Sequence, residues 1–180
     1  MKAKLLVTAC LIAAAVGFAT YHARLQISTR LWHWKHGDVT KVENYEVPVP
    51  SDWLPEFPDD PSLINLVHVS PSRSDGPMSK TGVILVSVMS SPIKDIQRWE
   101  SDERDFFQNL GVQDVQEFSV QAKNERIFCV GGHVLGHLVP NIGVTAVSFQ
   151  CRSNGLLSLT YTGPESDLDQ FRTIVSGIRQ

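Results

Sequence analysis

The chain has 180 residues, of which 42% are hydrophobic and 19% charged, and its formal net charge is -3. This composition is that of a globular protein and excludes a wholly disordered or wholly membrane-embedded chain. The slightly acidic charge gives no basis for nucleic-acid binding, because such proteins normally present a basic stripe. The length leaves room for one compact domain of roughly 140 residues after the N-terminal segment.

Residues 1–23 are predicted to form a membrane anchor or a signal segment. Lys2 and Lys4 precede an uncharged run over 5–21, which is at the lower limit for a membrane-spanning helix. We favour the anchor because the run is longer than the apolar part of most signal peptides. Cleavage after the small-residue pattern at 17–19 stays open as the alternative. Lipidation of Cys10 is disfavoured, because the apolar run continues past that cysteine. In each case the domain that follows is exported.

Residues 24–38 are predicted to be a juxtamembrane linker rich in basic and aromatic residues. Trp32 and Trp34, with Arg30 and Lys35, form the kind of belt found where a helix leaves the hydrocarbon for the headgroups. Replacing both tryptophans with serine is expected to loosen membrane association and leave the fold intact. Gly37 is expected to end any helix there.

The exported domain, residues 39–180, opens with three predicted strands. The first covers 39–49, a proline-rich loop follows at 54–62, and dense apolar runs at 63–69 and 83–89 indicate central strands. A helix is predicted next, with Ser91 as its N-cap and Gly111 just past its end.

Four further strands are predicted, at 115–121, 126–134, 144–152 and 156–162. The last two form a hairpin, for which we prefer a three-residue loop at 153–155 with a left-handed Gly155. That loop places Cys151 opposite Leu157 and keeps the apolar residues on one face. A closing helix over 166–180 is predicted from Ser166 as N-cap and from the helical spacing of its apolar residues: Leu168, Phe171, Val175 and Ile178.

Cys129 and Cys151 are predicted to form a disulfide, since they are the two cysteines of an exported domain. Two buried free thiols are the alternative. Both positions are expected to face inward on neighbouring strands, and the bridge would contribute to stability rather than to chemistry.

The order of these elements predicts an α+β fold, with one antiparallel sheet on which two helices pack (β-β-β-α-β-β-β-β-α). An opening strand that closes as VPVPSDW and a final LDQFRTIVSGIR helix resemble the PsbP-like fold. That fold includes accessory proteins of photosystem II and exported bacterial lipoproteins such as LpqN. The resemblance covers about residues 40–180. It implies a non-enzymatic binding or assembly module and no shared catalytic residues.

Histidines are the candidate metal ligands. His133 and His137 would share one helix face, but the glycines around them favour an extended segment that separates them by about 13 Å. His33 and His36 could be neighbours in a helix, although no third ligand follows. His68 is expected to be a hydrogen-bonded sheet residue. No catalytic, cofactor-binding or metal-binding residue is assigned, and the acidic run on the first domain helix is expected to be a solvated face.

Taken together, these features predict a membrane-anchored, extracytoplasmic binding or assembly module, with the membrane and a cell-envelope protein as partners. The alternative is a secreted or anchored metal-binding protein, or a small enzyme, that uses His33, His36, His133 or His137.

Overall fold

A computed structural model of the protein describes residues 23–69, 80–112, 114–134 and 146–180, together with Gly17 and Thr20. Nearly all of the predicted anchor or signal segment, most of the connection after His68, and His137 lie outside these residues. Within the part described, no helix is long and apolar enough to cross a membrane.

The described elements are three helices, a 3-10 turn and nine strands, and all of the strand pairs are antiparallel. In chain order they are α1 (Arg24–His36), β1 (Val39–Val42), β2 (Tyr45–Pro48), β3 (Trp53–Glu56), β4 (Leu63–Val69), β5 (Lys80–Val88), α2 (Ile96–Asn109), β6 (Gln116–Gln121), β7 (Arg126–Val134), β8 (Ala146–Ser153), β9 (Leu157–Pro164), a 3-10 turn (Glu165–Asp167) and α3 (Leu168–Ser176).

The main sheet joins two meanders. Within the described residues its strand order is β3-β4-β5-β9-β8-β7-β6, and every neighbouring pair is antiparallel. The first meander is β3-β4-β5 and the second is β6-β7-β8-β9, and they meet where β5 pairs with β9. Helix α2 connects them, and it contacts β7. The predicted α+β class with an antiparallel sheet is therefore confirmed.

The inner face of the sheet carries the larger core. Helix α3 contacts β2, β6 and β9, and the β1–β2 hairpin lies beside it. Alternation along β8 and β9 turns Phe149, Leu159 and Tyr161 inward, where Tyr161 stacks on Phe171 of α3 at 4.7 Å between ring centroids. The expected apolar stripe of the last helix is buried, and Ile174 joins it.

The outer face is covered in part by α2. Phe107 is buried there with Val112, Val130, Val134 and Ala146 in a second, smaller cluster. The other strands present a mixture of partly buried apolar and polar residues on this face.

The prediction of one sheet strand over 39–49 is wrong in one respect, because β1 and β2 form a separate hairpin there. Glu43 takes a left-handed φ of 48°, and Val42 pairs with Tyr45 across the turn. The proline-rich segment predicted as a loop includes the edge strand β3, in which Pro55 pairs with Leu66. An edge strand tolerates proline because one of its sides makes no ladder.

Both predicted domain helices begin later than expected. Asp95 rather than Ser91 caps α2, since its Oδ1 accepts a hydrogen bond from the Arg98 N–H at 3.0 Å. Gly111 follows the helix with a left-handed φ of 86°, as predicted. The last helix starts at Leu168, because Ser166 belongs to the 3-10 turn and its hydroxyl donates to Asp167.

The hairpin between β8 and β9 keeps the predicted apolar face but not the predicted register. Cys151 pairs with Leu159 rather than with Leu157, and Gly155 is not left-handed. The reason is the Ser153 hydroxyl, which accepts hydrogen bonds from the N–H groups of Gly155 and Leu157 at 3.1 and 3.2 Å. These bonds move the three-residue loop one position along the chain.

The predicted disulfide is present. Cys129 and Cys151 are directly opposed on β7 and β8, with their Cα atoms 4.1 Å apart. Both are buried in the inner core, so the bridge ties together two neighbouring strands of the second meander. The free-thiol alternative is thereby set aside.

Candidate functional site

Three features of the described chain could serve a function: the free face of α1, a pair of histidine and carboxylate clusters, and a groove beside α2.

Helix α1 is part of the folded domain, because it contacts β3 and β4. Thr29 is buried on the helix, and Trp32 is partly buried against the inner core. Of the four predicted interface residues, Arg30 and Lys35 are exposed and Trp34 is 86% exposed. The interface role of these residues stays a prediction. The two tryptophans differ, since Trp32 packs on the core and Trp34 is exposed to solvent.

The exposed face of α1 is apolar along a line. Ile27, Leu31 and Trp34 are all exposed and follow one another at intervals of four and three residues. Residues at this spacing lie on one side of a helix. Gly37 ends the helix as predicted, with a φ of 77°.

The two histidines of α1 bind protein groups rather than each other. His33 Nδ1 lies 2.9 Å from Asp38 Oδ1, and its Nε2 lies 3.1 Å from the Trp53 carbonyl oxygen. His36 Nδ1 lies 3.2 Å from the Trp32 carbonyl oxygen. His33 therefore helps to dock α1 on β3.

His68 is held between two carboxylates at the end of β4. Its Nδ1 lies 2.6 Å from Asp167 Oδ2, and its Nε2 lies 3.1 Å from Asp52 Oδ2. Gln170 donates to both Asp52 oxygens at 2.9 and 3.1 Å, and Trp53 stacks on the imidazole at 5.1 Å. The prediction of a hydrogen-bonded sheet histidine is confirmed.

The electrostatics of this cluster favour the imidazolium form. Burial by itself lowers the pKa of His68, but the hydrogen bond and charge of Asp167, helped by Asp52, outweigh it and raise that pKa above its ordinary value. Burial would raise the pKa of Asp167, and the bond to His68 lowers it instead. The pair is therefore a charged one, and Asp167 is 14% exposed.

The same geometry argues against nucleophilic catalysis. Thr81 Oγ1 lies 2.9 Å from His68 Nδ1, so Thr81, His68 and Asp52 line up as a hydroxyl, an imidazole and a carboxylate. A general base needs a free nitrogen lone pair, but Asp167 occupies the nitrogen that faces Thr81. The cluster fixes structure rather than activating a nucleophile.

His133 on β7 repeats this arrangement at the surface. Its Nδ1 hydrogen-bonds Asp114, and its Nε2 lies 3.2 Å from Glu165 Oε2. The hydrogen bonds to Asp114 and Glu165 raise the pKa of His133. Glu165 and Asp167 belong to one 3-10 turn, so that turn is held by a histidine from each meander, His68 and His133.

A groove of about 330 Å³ lies between α2 and the outer face of the sheet. Its wall is apolar and its floor is polar and uncharged. The wall is formed by Phe106, Phe107, Leu110 and Val134, and the floor by Ser148, Gln150, Thr160 and Thr162.

The floor side chains are paired across β8 and β9. Ser148 Oγ and Thr162 Oγ1 lie 3.2 Å apart, and the Thr160 hydroxyl donates to Gln150 Oε1 at 2.7 Å. Within the described residues, the Gln150 amide nitrogen has no hydrogen-bond partner. The floor thus offers an amide donor and three hydroxyl groups to the groove.

The acidic run of α2 is only in part the solvated face that was predicted. Asp102 and Asp105 are exposed, but Glu103 is partly buried next to Trp99, and burial raises its pKa. Arg152 on β8 is near Glu103, and burial lowers the pKa of this guanidinium. Its Nε is buried without a hydrogen-bond partner among the residues described.

The sequence did not identify the acidic partners of these histidines. These partners come from separate places in the chain that no short sequence pattern joins: Asp52, Asp114, Glu165 and Asp167.

Among the described residues, no group of three or more histidine, cysteine or acidic side chains is arranged to hold a metal ion. No protein-family model matches the chain, and no curated protein matches it by sequence.

Proposed function

We propose that this protein is a non-enzymatic binding module held on the outer side of a membrane, with α1 lying at the membrane surface. The observation that carries the proposal is the apolar line of Ile27, Leu31 and Trp34 on the exposed face of α1. This helix follows directly on the apolar run over 5–21.

Lipid would be a favourable environment for that face. Fully burying a large apolar side chain contributes about 1.5–3 kcal/mol. Because these three side chains are exposed to different degrees, each would gain a different part of that energy in lipid. Arg30 and Lys35 are exposed on the same helix, and each basic residue near an anionic surface adds about 1 kcal/mol. Tryptophan is also the residue most typical of the interface.

The disulfide supports a location outside the cytoplasm. A bridge between Cys129 and Cys151 is maintained in an oxidising compartment, and cytosolic thiols are normally kept reduced. The basic N-terminus and apolar run point to the same compartment.

Binding is a better interpretation than catalysis. Both nitrogens of His68 and His133 face carboxylates, which leaves neither imidazole free to act as a base or a metal ligand. Among the described residues, nothing around His33 or His36 favours the metal-binding or enzymatic alternative. The resemblance to PsbP-like proteins belongs to the same proposal, and it implies a protein partner in the cell envelope.

Fractionation of the full chain tests membrane attachment. The variant Leu31→Ser with Trp34→Ser should shift protein from the membrane to the soluble fraction, or make it easier to extract with alkaline carbonate. Phe106→Ser is the matched control, because Phe106 is 51% exposed but lies on α2 at the outer face of the sheet, whereas α1 packs its Trp32 on the inner core. Trp32 is left unchanged because it packs on the core.

Two further measurements complete this test. Thiol labelling of intact cells should show Cys129 and Cys151 oxidised, and N-terminal sequencing distinguishes an anchor from a cleaved signal peptide. The proposal would be refuted if the wild-type protein were found in the soluble fraction with Cys129 and Cys151 both reduced.

A further inference from the structure

The groove beside α2 has large apolar side chains that the other described residues leave uncovered. Phe107 points into the outer cluster and is buried, whereas its neighbour Phe106 is 51% exposed and Leu110 is also exposed. Both line the groove. Exposed apolar side chains that line a concave surface are typical of ligand sites.

The floor of the groove excludes a purely apolar ligand. Ser148, Gln150, Thr160 and Thr162 would lose their contact with water if an acyl chain covered them. Each polar group buried without a new hydrogen bond costs about 1–3 kcal/mol. A ligand that fits must return hydrogen bonds to the floor while it covers the apolar wall.

The charges near the groove exclude a strongly ionic ligand. All eight lining residues are uncharged. Two charged side chains that interact with each other lie close to the lining in sequence: Glu103, one helical turn before Phe106 and Phe107, and Arg152, two residues after Gln150. Their signs are opposite, so neither a cation nor an anion gains an unopposed partner there.

We propose that this groove binds a neutral polyhydroxylated ring, in chemical class a sugar. The C–H face of the ring packs on Phe106 and Leu110, and its hydroxyl groups bond the Gln150 amide and the threonine hydroxyls of the floor. This inference deepens the proposed function by giving the binding module a site and a ligand class, and so it rests on that function.

Titration of the full chain in detergent micelles with N-acetylglucosamine, glucose and maltose tests the inference, followed by amide chemical shifts. We expect saturable shifts at Ser148, Gln150, Thr160 and Thr162 with at least one of the sugars. Phe106→Ala and Gln150→Ala should each weaken binding about tenfold, which corresponds to the loss of one stacking or hydrogen-bond contact. Phe57→Ala, which removes an exposed aromatic ring that does not line the groove, should bind like the wild type. The spectrum of each variant also reports whether it is folded.

Three results would overturn the inference. One is the absence of saturable shifts at the groove with all three sugars. Another is binding that Phe106→Ala and Gln150→Ala leave unchanged in folded protein. A third is saturable binding of hexanoate at the groove that is tighter than that of any sugar. Membrane fractionation is read separately, so a failure here is distinguishable from a failure of the attachment proposal.

Discussion

The bond between His68 and Asp167 should make a large, pH-dependent contribution to stability. His68→Gln removes the imidazolium and leaves the 14% exposed Asp167 carboxylate without its cation. A hydrogen bond to a charged group contributes about 1.5–3 kcal/mol. Asp52 is 44% exposed and also accepts hydrogen bonds from Gln170, so its ion pair with His68 contributes at most about 0.5 kcal/mol to stability. We expect His68→Gln to lower the free energy of unfolding by about 2–3 kcal/mol at about pH 5.5.

The sign of the pH dependence follows from the raised pKa of His68. A group whose pKa is higher in the folded state stabilises fully below its unfolded pKa, and that contribution is lost as the pH rises through the folded pKa. The lowered pKa of Asp167 sets the lower pH limit of this stabilisation, because the ion pair is also lost when the carboxylate becomes protonated. The effect of His68→Gln should therefore shrink at about pH 9.

Urea unfolding followed by tryptophan fluorescence measures this effect, since Trp53 stacks on His68. The double variant with Asp167→Asn should show a coupling energy of at least about 1 kcal/mol at the lower pH. His133→Gln is the matched control, because it removes a histidine from the same kind of carboxylate pair at a site that is 37% exposed, where about 1 kcal/mol or less is expected. An effect of His68→Gln that is equal at both pH values would refute the charged-pair interpretation.

Three further predictions concern stability and use urea unfolding as well. Replacing Cys129 and Cys151 together with serine should cost about 3 kcal/mol, given their separation of 22 residues, and a loss below about 1 kcal/mol would contradict this. Gly131→Ala should cost at least about 2 kcal/mol, because its Cβ would lie 2.7 Å from the Phe149 Cα atom; near-wild-type stability would show that the strands can separate. Asp95→Ala should cost about 1 kcal/mol through the lost helix cap, whereas Asp95→Asn should retain most of it.

Much of the fold could be predicted because its signals are local. The alternation along the last hairpin and the helical spacing of the last helix identified their inward-facing residues, and the cysteine pair fell on neighbouring strands. The register of the last hairpin could not be derived in the same way. The predicted and observed pairings both keep Cys151 opposite a leucine, and only the bonds of Ser153 decide between them.

The candidate sites were mostly beyond sequence reasoning, because they depend on distant parts of the chain. The carboxylates around His68 lie 16 and 99 residues away from it in sequence. The groove depends on α2 packing on β7 with β8 and β9 beside it, and this requires the order of strands in the sheet. The basic and aromatic composition of α1 can be read from the sequence, but its exposed apolar line depends on which face of the helix packs on the domain.

The contact between the two meanders has a consequence for how the chain folds. Val83 on β5 pairs with Thr162 on β9. The edge of the first meander is therefore paired only by β9, which is synthesised much later than β5. Until β9 arrives, β5 presents an unpaired edge whose Ile84 and Val86 are destined for the core. Such distant pairing slows folding and prolongs the exposure of apolar strands. The newly made chain should therefore depend on protection by chaperones until β9 can pair with β5.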